Sequence, residues 1–134
     1  MKQYEYQATV HRVVDGDTVY LKLSKTFTLP VDFGFNILDS VILLKEAIVE
    51  FRLYGINTPE VVGVTKQAGL ASSTELSRLL DTGTIRIVSY KPDKYGRYLA
   101  DIFVTPPGQP EFNANQELIK GGFATPYFGT GPKT

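Results

Sequence analysis

Three short clusters of polar residues carry the groups that phosphate chemistry requires. They are Asp15-Gly16-Asp17-Thr18, the stretch from Arg52 to Glu60 that ends in Asn57-Thr58-Pro59-Glu60, and Asp93-Lys94-Tyr95-Gly96-Arg97. Together they supply carboxylates, an amide and two guanidinium groups. A hard cation needs oxygen ligands, and arginine donors can hold the charge that develops on a phosphate in the transition state. The set indicates metal-assisted phosphoryl chemistry, for which histidine is not required.

Each cluster, taken alone, also has a purely structural interpretation. Asp-Gly-Asp is a common turn between two strands, and a strand arginine such as Arg52 is often a solvated or salt-bridged residue. Pro59 can simply fix the backbone where a strand ends, and residues 93–97 would serve as a hairpin connection. The chemical interpretation therefore depends on the three clusters occurring together.

The composition limits the kinds of site that this chain can build. Cysteine is absent, which excludes disulfides, a thiolate nucleophile and a sulfur-ligated metal. Any metal must be held by oxygen atoms or by His11, which lies in a predicted strand and which we interpret as a surface or packing residue. The 14 basic residues balance the 14 acidic ones, whereas sequence-independent nucleic-acid binders usually carry surplus positive charge. A nucleic-acid site here would depend on a few well-placed cations.

The length of 134 residues predicts one domain, which we assign to residues 1–128, with a flexible tail at 129–134. The first residues lack the apolar stretch of a signal peptide, and no segment approaches the roughly 18 apolar residues of a membrane span. We expect a cytoplasmic protein, in a form that would suit a phage or bacterial intracellular enzyme.

Hydrophobic periodicity predicts the elements that position the clusters. Strands are predicted at 4–14, 18–23, 48–56, 85–90 and 98–104, and helices at 66–80 and about 113–120. This order predicts a mainly β fold: a five-stranded Greek-key barrel of the oligonucleotide-binding (OB) type, with one helix between strands three and four and a short C-terminal helix. Residues 25–47 have no clear pattern, and could extend strands two and three into a hairpin arm or form a loop beside the site.

The three clusters, in this order and around these elements, resemble the staphylococcal nuclease (thermonuclease) family. The resemblance runs from about Ala8 to Tyr127, is interrupted at 25–47, and rests on VDGDTV at 14–19, RLYGINTPE at 52–60 and DKYGRYLA at 93–100. It implies an OB-fold nuclease that uses Ca²⁺ to hydrolyse phosphodiester bonds of single-stranded DNA or RNA with little sequence preference. We expect it to act as a monomer on nucleic acid, without a membrane.

The resemblance also implies the roles of nine residues. The catalytic residues would be Arg52 at the scissile phosphate, Glu60 as general base or water-positioning group, and Arg97 in the transition state. The metal ligands would be Asp17, Asn57 and the backbone carbonyl of Thr58. The substrate-binding residues would be Lys94, Tyr95 and Tyr127.

Asn57 is the main departure from the family pattern, because the best-known members carry a second metal-binding aspartate there. An amide oxygen can ligate calcium but brings no charge, so we predict weaker calcium binding. Asn57 and the neutral net charge leave an alternative, a non-catalytic nucleic-acid or protein-binding module of the same family. A further alternative is a scaffold barrel whose segment 25–47 mediates assembly.

Overall fold

A computed structural model describes residues 4–35, 37–59, 66–90 and 98–127 of the chain. The strands are β1 (Tyr4–Asp15), β2 (Thr18–Gly34), β3 (Ile37–Leu53), β4 (Ile56–Asn57), β5 (Thr84–Tyr90), β6 (Tyr98–Thr105), β7 (Phe112–Asn113) and β8 (Thr125–Pro126). The helices are α1 (Lys66–Leu80) and α2 (Ala114–Lys120).

The five long strands pair in a closed ring. Antiparallel pairs join β3 to β2, β2 to β1, β1 to β5 and β5 to β6. A short parallel pair between β3 and β6, at Phe51–Leu53 and Tyr98–Ala100, completes the ring. The mainly β, OB-like fold is thereby confirmed, with α1 between the third and fourth long strands and α2 near the C-terminal end.

The core lies inside this ring because alternate strand residues point inward. Val19, Leu21, Phe51 and Leu53 come from the β2–β3 hairpin, and α1 adds Leu76, Leu79 and Leu80. The apolar face of α1 covers one side of the ring, and α1 has the bounds that its sequence periodicity predicts. Among the described residues, no helix has the length and apolarity needed to cross a membrane.

A buried asparagine ties α2 to the strands that lead into the polar clusters. Asn115 is fully buried, and its Nδ2 donates to the backbone oxygens of Tyr54 and Ala100, each at 3.0 Å. Its Oδ1 accepts from the backbone N of Ile102 at 3.3 Å. Since buried amides are costly unless they are hydrogen-bonded, these three contacts fix the end of β3 against β6.

The β2–β3 hairpin extends well beyond the ring. The two strands pair from Thr18↔Arg52 to Gly34↔Ile37. The pairing of β1 with β2 ends at Leu23, and β6 pairs with β3 only from Phe51 onward. The described residues of the segment 25–47, for which the sequence left two arrangements open, thus continue strands two and three as a hairpin. We call this segment the arm.

Candidate active site

A tight turn between β1 and β2 presents the first polar cluster. Asp15 Oδ1 accepts a hydrogen bond from the backbone N of Asp17 at 3.2 Å, which closes the turn. A Cβ at Gly16 would lie 2.6 Å from the Ser72 Cβ on α1 and 2.9 Å from the Thr58 Cγ2. Only glycine therefore lets the turn approach α1 and the segment after β4 this closely.

Asp17 is held between two parts of the chain that are far apart in sequence. Its side chain is buried, with Oδ1 accepting from Thr18 Oγ1 at 3.1 Å and Oδ2 accepting from the backbone N of Thr58 at 3.3 Å. Its backbone oxygen accepts from the N of Leu53 at 2.8 Å. These contacts fix the position of the carboxylate relative to the end of β3.

Arg52 lies beside Asp17 because Thr18 and Arg52 are directly opposite in the β2–β3 pairing. The Arg52 side chain is 4% exposed, its Nη1 donates to the backbone oxygen of Leu53 at 3.1 Å, and its Nη2 lies 3.8 Å from Asp17 Oδ2. Within the described ranges Nη2 makes no hydrogen bond. A buried guanidinium is costly unless its donors find acceptors, so this geometry favours an additional anion at Nη2.

The ring of Tyr127 covers the same guanidinium. Its centroid lies 5.3 Å from Arg52 Cζ, within the range of a cation–π contact. The backbone N of Tyr127 donates to the oxygen of Gly55 at 2.9 Å, and β8 pairs with β4 just before it. Gly55 has a φ of 78°, a left-handed conformation that favours glycine and turns the chain from β3 into β4.

Asn57 and Thr58 follow this turn and are both buried, and the backbone N of Thr58 donates to Asp17 Oδ2. The Thr58 hydroxyl oxygen has no hydrogen-bond partner in the part of the chain that the structure describes. The described residues contain no group of three or more His, Cys, Asp or Glu side chains suited to a metal. A cation held here would need neutral oxygens beside carboxylates, and the donor set of this site fits a hard ion of that kind.

Asp15 is a residue that the sequence analysis did not include in the site. Burial, followed by the hydrogen bond and the charge of Asp17, raises the pKa of Asp15 to about 6. The turn therefore gathers two carboxylates. The signal was present in the sequence, because the Asp-Gly-Asp spacing puts both acidic residues on one tight turn.

The structure connects four of the nine predicted site residues by successive pairwise contacts, from Thr58 to Asp17, from Asp17 to Arg52 and from Arg52 to Tyr127. Asn57 is buried next to Thr58. Glu60, Lys94, Tyr95 and Arg97 fall outside the described residues, so their placement stays a prediction.

Comparison with known proteins gives the same family as the clusters. Residues 50–134 match the family described as "Staphylococcal nuclease homologue". The chain is 30% identical over 135 residues to "Endonuclease YhcR" of Bacillus subtilis (strain 168), and covers 9% of that protein. It is 28% identical over 145 residues to "Uncharacterized protein MJ1439" of Methanocaldococcus jannaschii, of which it covers 59%. The alignments include 92% and 91% of this chain, respectively. The chain belongs to the staphylococcal nuclease homologue family.

Proposed function

We propose that the chain is a metal-dependent endonuclease that hydrolyses phosphodiester bonds of single-stranded DNA or RNA with low sequence specificity. The observation that carries this proposal is the buried Arg52 guanidinium, whose Nη2 lies beside Asp17 without a hydrogen bond in the described ranges. Arginine is suited to bind a phosphate oxygen at such a position. Family membership and the name of the Bacillus relative support the same class of reaction.

The proposed metal is Ca²⁺, bound by Asp17 with oxygens of Asn57 and Thr58. When bound, the ion would supply positive charge that offsets the charge developing on the phosphate. The chain's own contribution is to fix the Asp17 carboxylate through Thr18 and the Thr58 backbone, so that its position is set before substrate arrives. Asp15 adds a second carboxylate, which favours a cation at this turn.

The remaining roles concern the substrate. Arg52 would bind the scissile phosphate, and Glu60 would orient or deprotonate the attacking water, which typically contributes about 10² to 10⁴ in rate. Arg97 would stabilise the charged transition state, and Lys94 and Tyr95 would contact a neighbouring phosphate. The half-buried ring of Tyr127, already against Arg52, offers a surface on which a base can stack.

A cleavage assay tests the proposal with fluorescent single-stranded DNA and RNA, in calcium, in magnesium and in chelator. We expect metal-dependent cutting that falls about 10²-fold or more in Arg52→Lys, Glu60→Ala and Arg97→Ala. Arg78→Lys is the matched control, because Arg78 lies on the exposed side of α1 and pairs with Glu75. Binding without cutting under every metal would contradict the proposal and favour the non-catalytic binding module.

The proposed role of Asn57 has its own test. Asn57→Asp adds a negative charge to the ligand set, so we expect half-maximal activity at a calcium concentration lower by about tenfold. An unchanged calcium requirement would remove Asn57 from the ligands. Thr125→Asp is the control, since Thr125 pairs with Asn57 through the backbone but its side chain is exposed.

A further inference from the structure

The arm has an apolar face that no described element covers. Side chains alternate between its two faces, and one face continues the inward side of the ring through Leu21 and Val49. That face consists of four rows of directly opposed residues, which we call the stripe: Lys25↔Lys45, Phe27↔Leu43, Leu29↔Val41 and Val31↔Asp39.

The two central rows of the stripe are apolar and open. Phe27, Leu29, Val41 and Leu43 are each between 43% and 49% exposed, although the apolar residues eight positions before Phe27 and Leu29 on β2, Val19 and Leu21, are in the core. A two-stranded ribbon is marginal by itself in water, and a contiguous exposed apolar surface usually marks an interaction site. The stripe therefore needs an occupant.

Charged residues lie at both ends of these two rows, with positive charge at one end and negative charge at the other. Lys25 and Lys45 lie directly opposite each other at one end, where like charges destabilise a pair of strands, and Lys25 Nζ sits 5.4 Å from the Phe27 ring. Asp39 lies at the other end, and its carboxylate accepts from the backbone N of Ser40. None of these three charged groups forms an ion pair within the described ranges. Along one arm Lys45 and Asp39 are six residues apart, about 20 Å, which is too far for them to meet.

We propose that the occupant of the stripe is the stripe of a second copy of this chain, a dimer in place of the monomer that we expected from the sequence. In this arrangement the two arms pack face to face and run antiparallel to each other. A two-fold axis relates them; it passes between the Phe27 and Leu29 rows and is parallel to the inter-strand hydrogen bonds. Phe27 then faces Leu29 of the partner subunit, and Leu43 faces Val41 of the partner subunit. The same axis places Lys45 opposite Asp39 of the partner subunit. By symmetry, Asp39 also lies opposite Lys45 of the partner subunit, so the dimer has two such pairs.

Charge complementarity selects a second copy over an unrelated occupant. A self-complementary surface needs an apolar centre and opposite charges at equal distances on either side of it, and the stripe has both. The other face of the arm lacks this arrangement, because it has two acidic residues, Asp32 and Glu46, and no basic residue within the arm. Glu46 also already pairs with Lys22 at 3.1 Å.

The assembly leaves both candidate active sites open. Arg52 and Thr18 lie at the opposite end of the hairpin, ten residues or about 30 Å from the two-fold axis. The two sites would face away from each other, so that the proposed dimer and the proposed nuclease activity can be tested separately. The central rows are few, and the interface is therefore expected to be weak and concentration-dependent.

Sedimentation equilibrium of the full chain over a range of concentrations tests this proposal. We expect a reversible dimer whose dissociation constant rises about 100-fold in Leu29→Lys, because this change buries a charge at the centre of the stripe. Ile42→Lys is the matched control: Ile42 is on the other face of the same arm, is 72% exposed and should leave the constant unchanged. Circular dichroism of both variants checks that the ring is folded.

A charge exchange tests the register of the two arms. Lys45→Asp and Asp39→Lys each place like charges opposite one another, and we expect each to weaken the dimer about tenfold. Mixing these two single variants should restore association, because the mixed dimer has two opposite-charge pairs. The proposal is overturned if the chain is monomeric up to about 1 mM, if Ile42→Lys weakens the dimer as much as Leu29→Lys, or if the mixture associates no better than either variant alone.

Discussion

The two halves of the β2–β3 hairpin have the same alternation of side chains but opposite environments. In the inner half, residues 18–24 and 48–53, neighbouring strands and α1 bury the inward face, and the hairpin's end carries Asp17 and Arg52. In the outer half, the arm, the two central rows of the same face are open. The difference arises from what packs against the hairpin and not from its own residues. We therefore expect substitutions in the inner half to change folding, and substitutions in the arm to change association.

The largest expected contrast is between two leucines on one face of one strand. Leu21 is fully buried in the core, whereas Leu29, eight residues further along β2, is 49% exposed. Leu21→Ala should lower the free energy of unfolding by about 3 kcal/mol, because it removes buried methyl groups and leaves a cavity. Leu29→Ala should change it by no more than about 0.5 kcal/mol. Urea denaturation at protein concentrations where any dimer is dissociated measures both values, and similar losses would contradict the division into two halves.

Two glycines provide a second contrast, one at the site and one at the tip of the arm. Gly16→Ala should destabilise the fold by about 2 kcal/mol, since its Cβ would overlap Ser72 and Thr58, and should also reduce cleavage by moving Asp17 away from Thr58. Gly34 has a φ of 82° and nothing within 4 Å of an added Cβ, so Gly34→Ala should cost only about 1 kcal/mol of backbone strain.

Paired denaturation and cleavage measurements separate the two glycine effects. Activity should fall in Gly16→Ala even under conditions where the variant is fully folded, and should be unchanged in Gly34→Ala. A Gly34→Ala variant that loses as much stability as Gly16→Ala would show that the arm is coupled to the core.

The sequence predicted the elements best where one face of each is buried. Helix α1 has the predicted bounds, and β5 and β6 alternate as expected because the ring covers their inward sides. The arm could not be assigned for the complementary physical reason. Because no core packs against the arm, apolar residues occur on both of its faces, as in the run from Val41 to Leu44. Such a run does not distinguish a strand from a helix.

The candidate site was predictable only in part. Periodicity placed Arg52 in a strand, but no local pattern shows that Thr58 and Tyr127 reach Asp17 and Arg52; the resemblance to a family supplied that set of residues. The resemblance did not indicate the raised pKa of Asp15, which results from burial of a second carboxylate beside Asp17. Such effects depend on three-dimensional packing and cannot be read from spacing.

The smallest expected effect concerns the lysine row of the stripe, and its sign differs between folding and association. Lys45→Glu replaces a like-charge pair opposite Lys25 by an attractive one, so the free energy of unfolding should rise by up to about 0.5 kcal/mol. The same change sets a carboxylate against Asp39 of the partner subunit and should weaken the proposed dimer.

Lys45→Gln is the control, because it removes the repulsion without adding a negative charge. Its free energy of unfolding and its dissociation constant should both lie between those of the unchanged chain and those of Lys45→Glu. Denaturation at low concentration and sedimentation at high concentration measure the two effects. A variant in which stability and association change in the same direction would show that the lysine row does not face an acidic residue of a second copy.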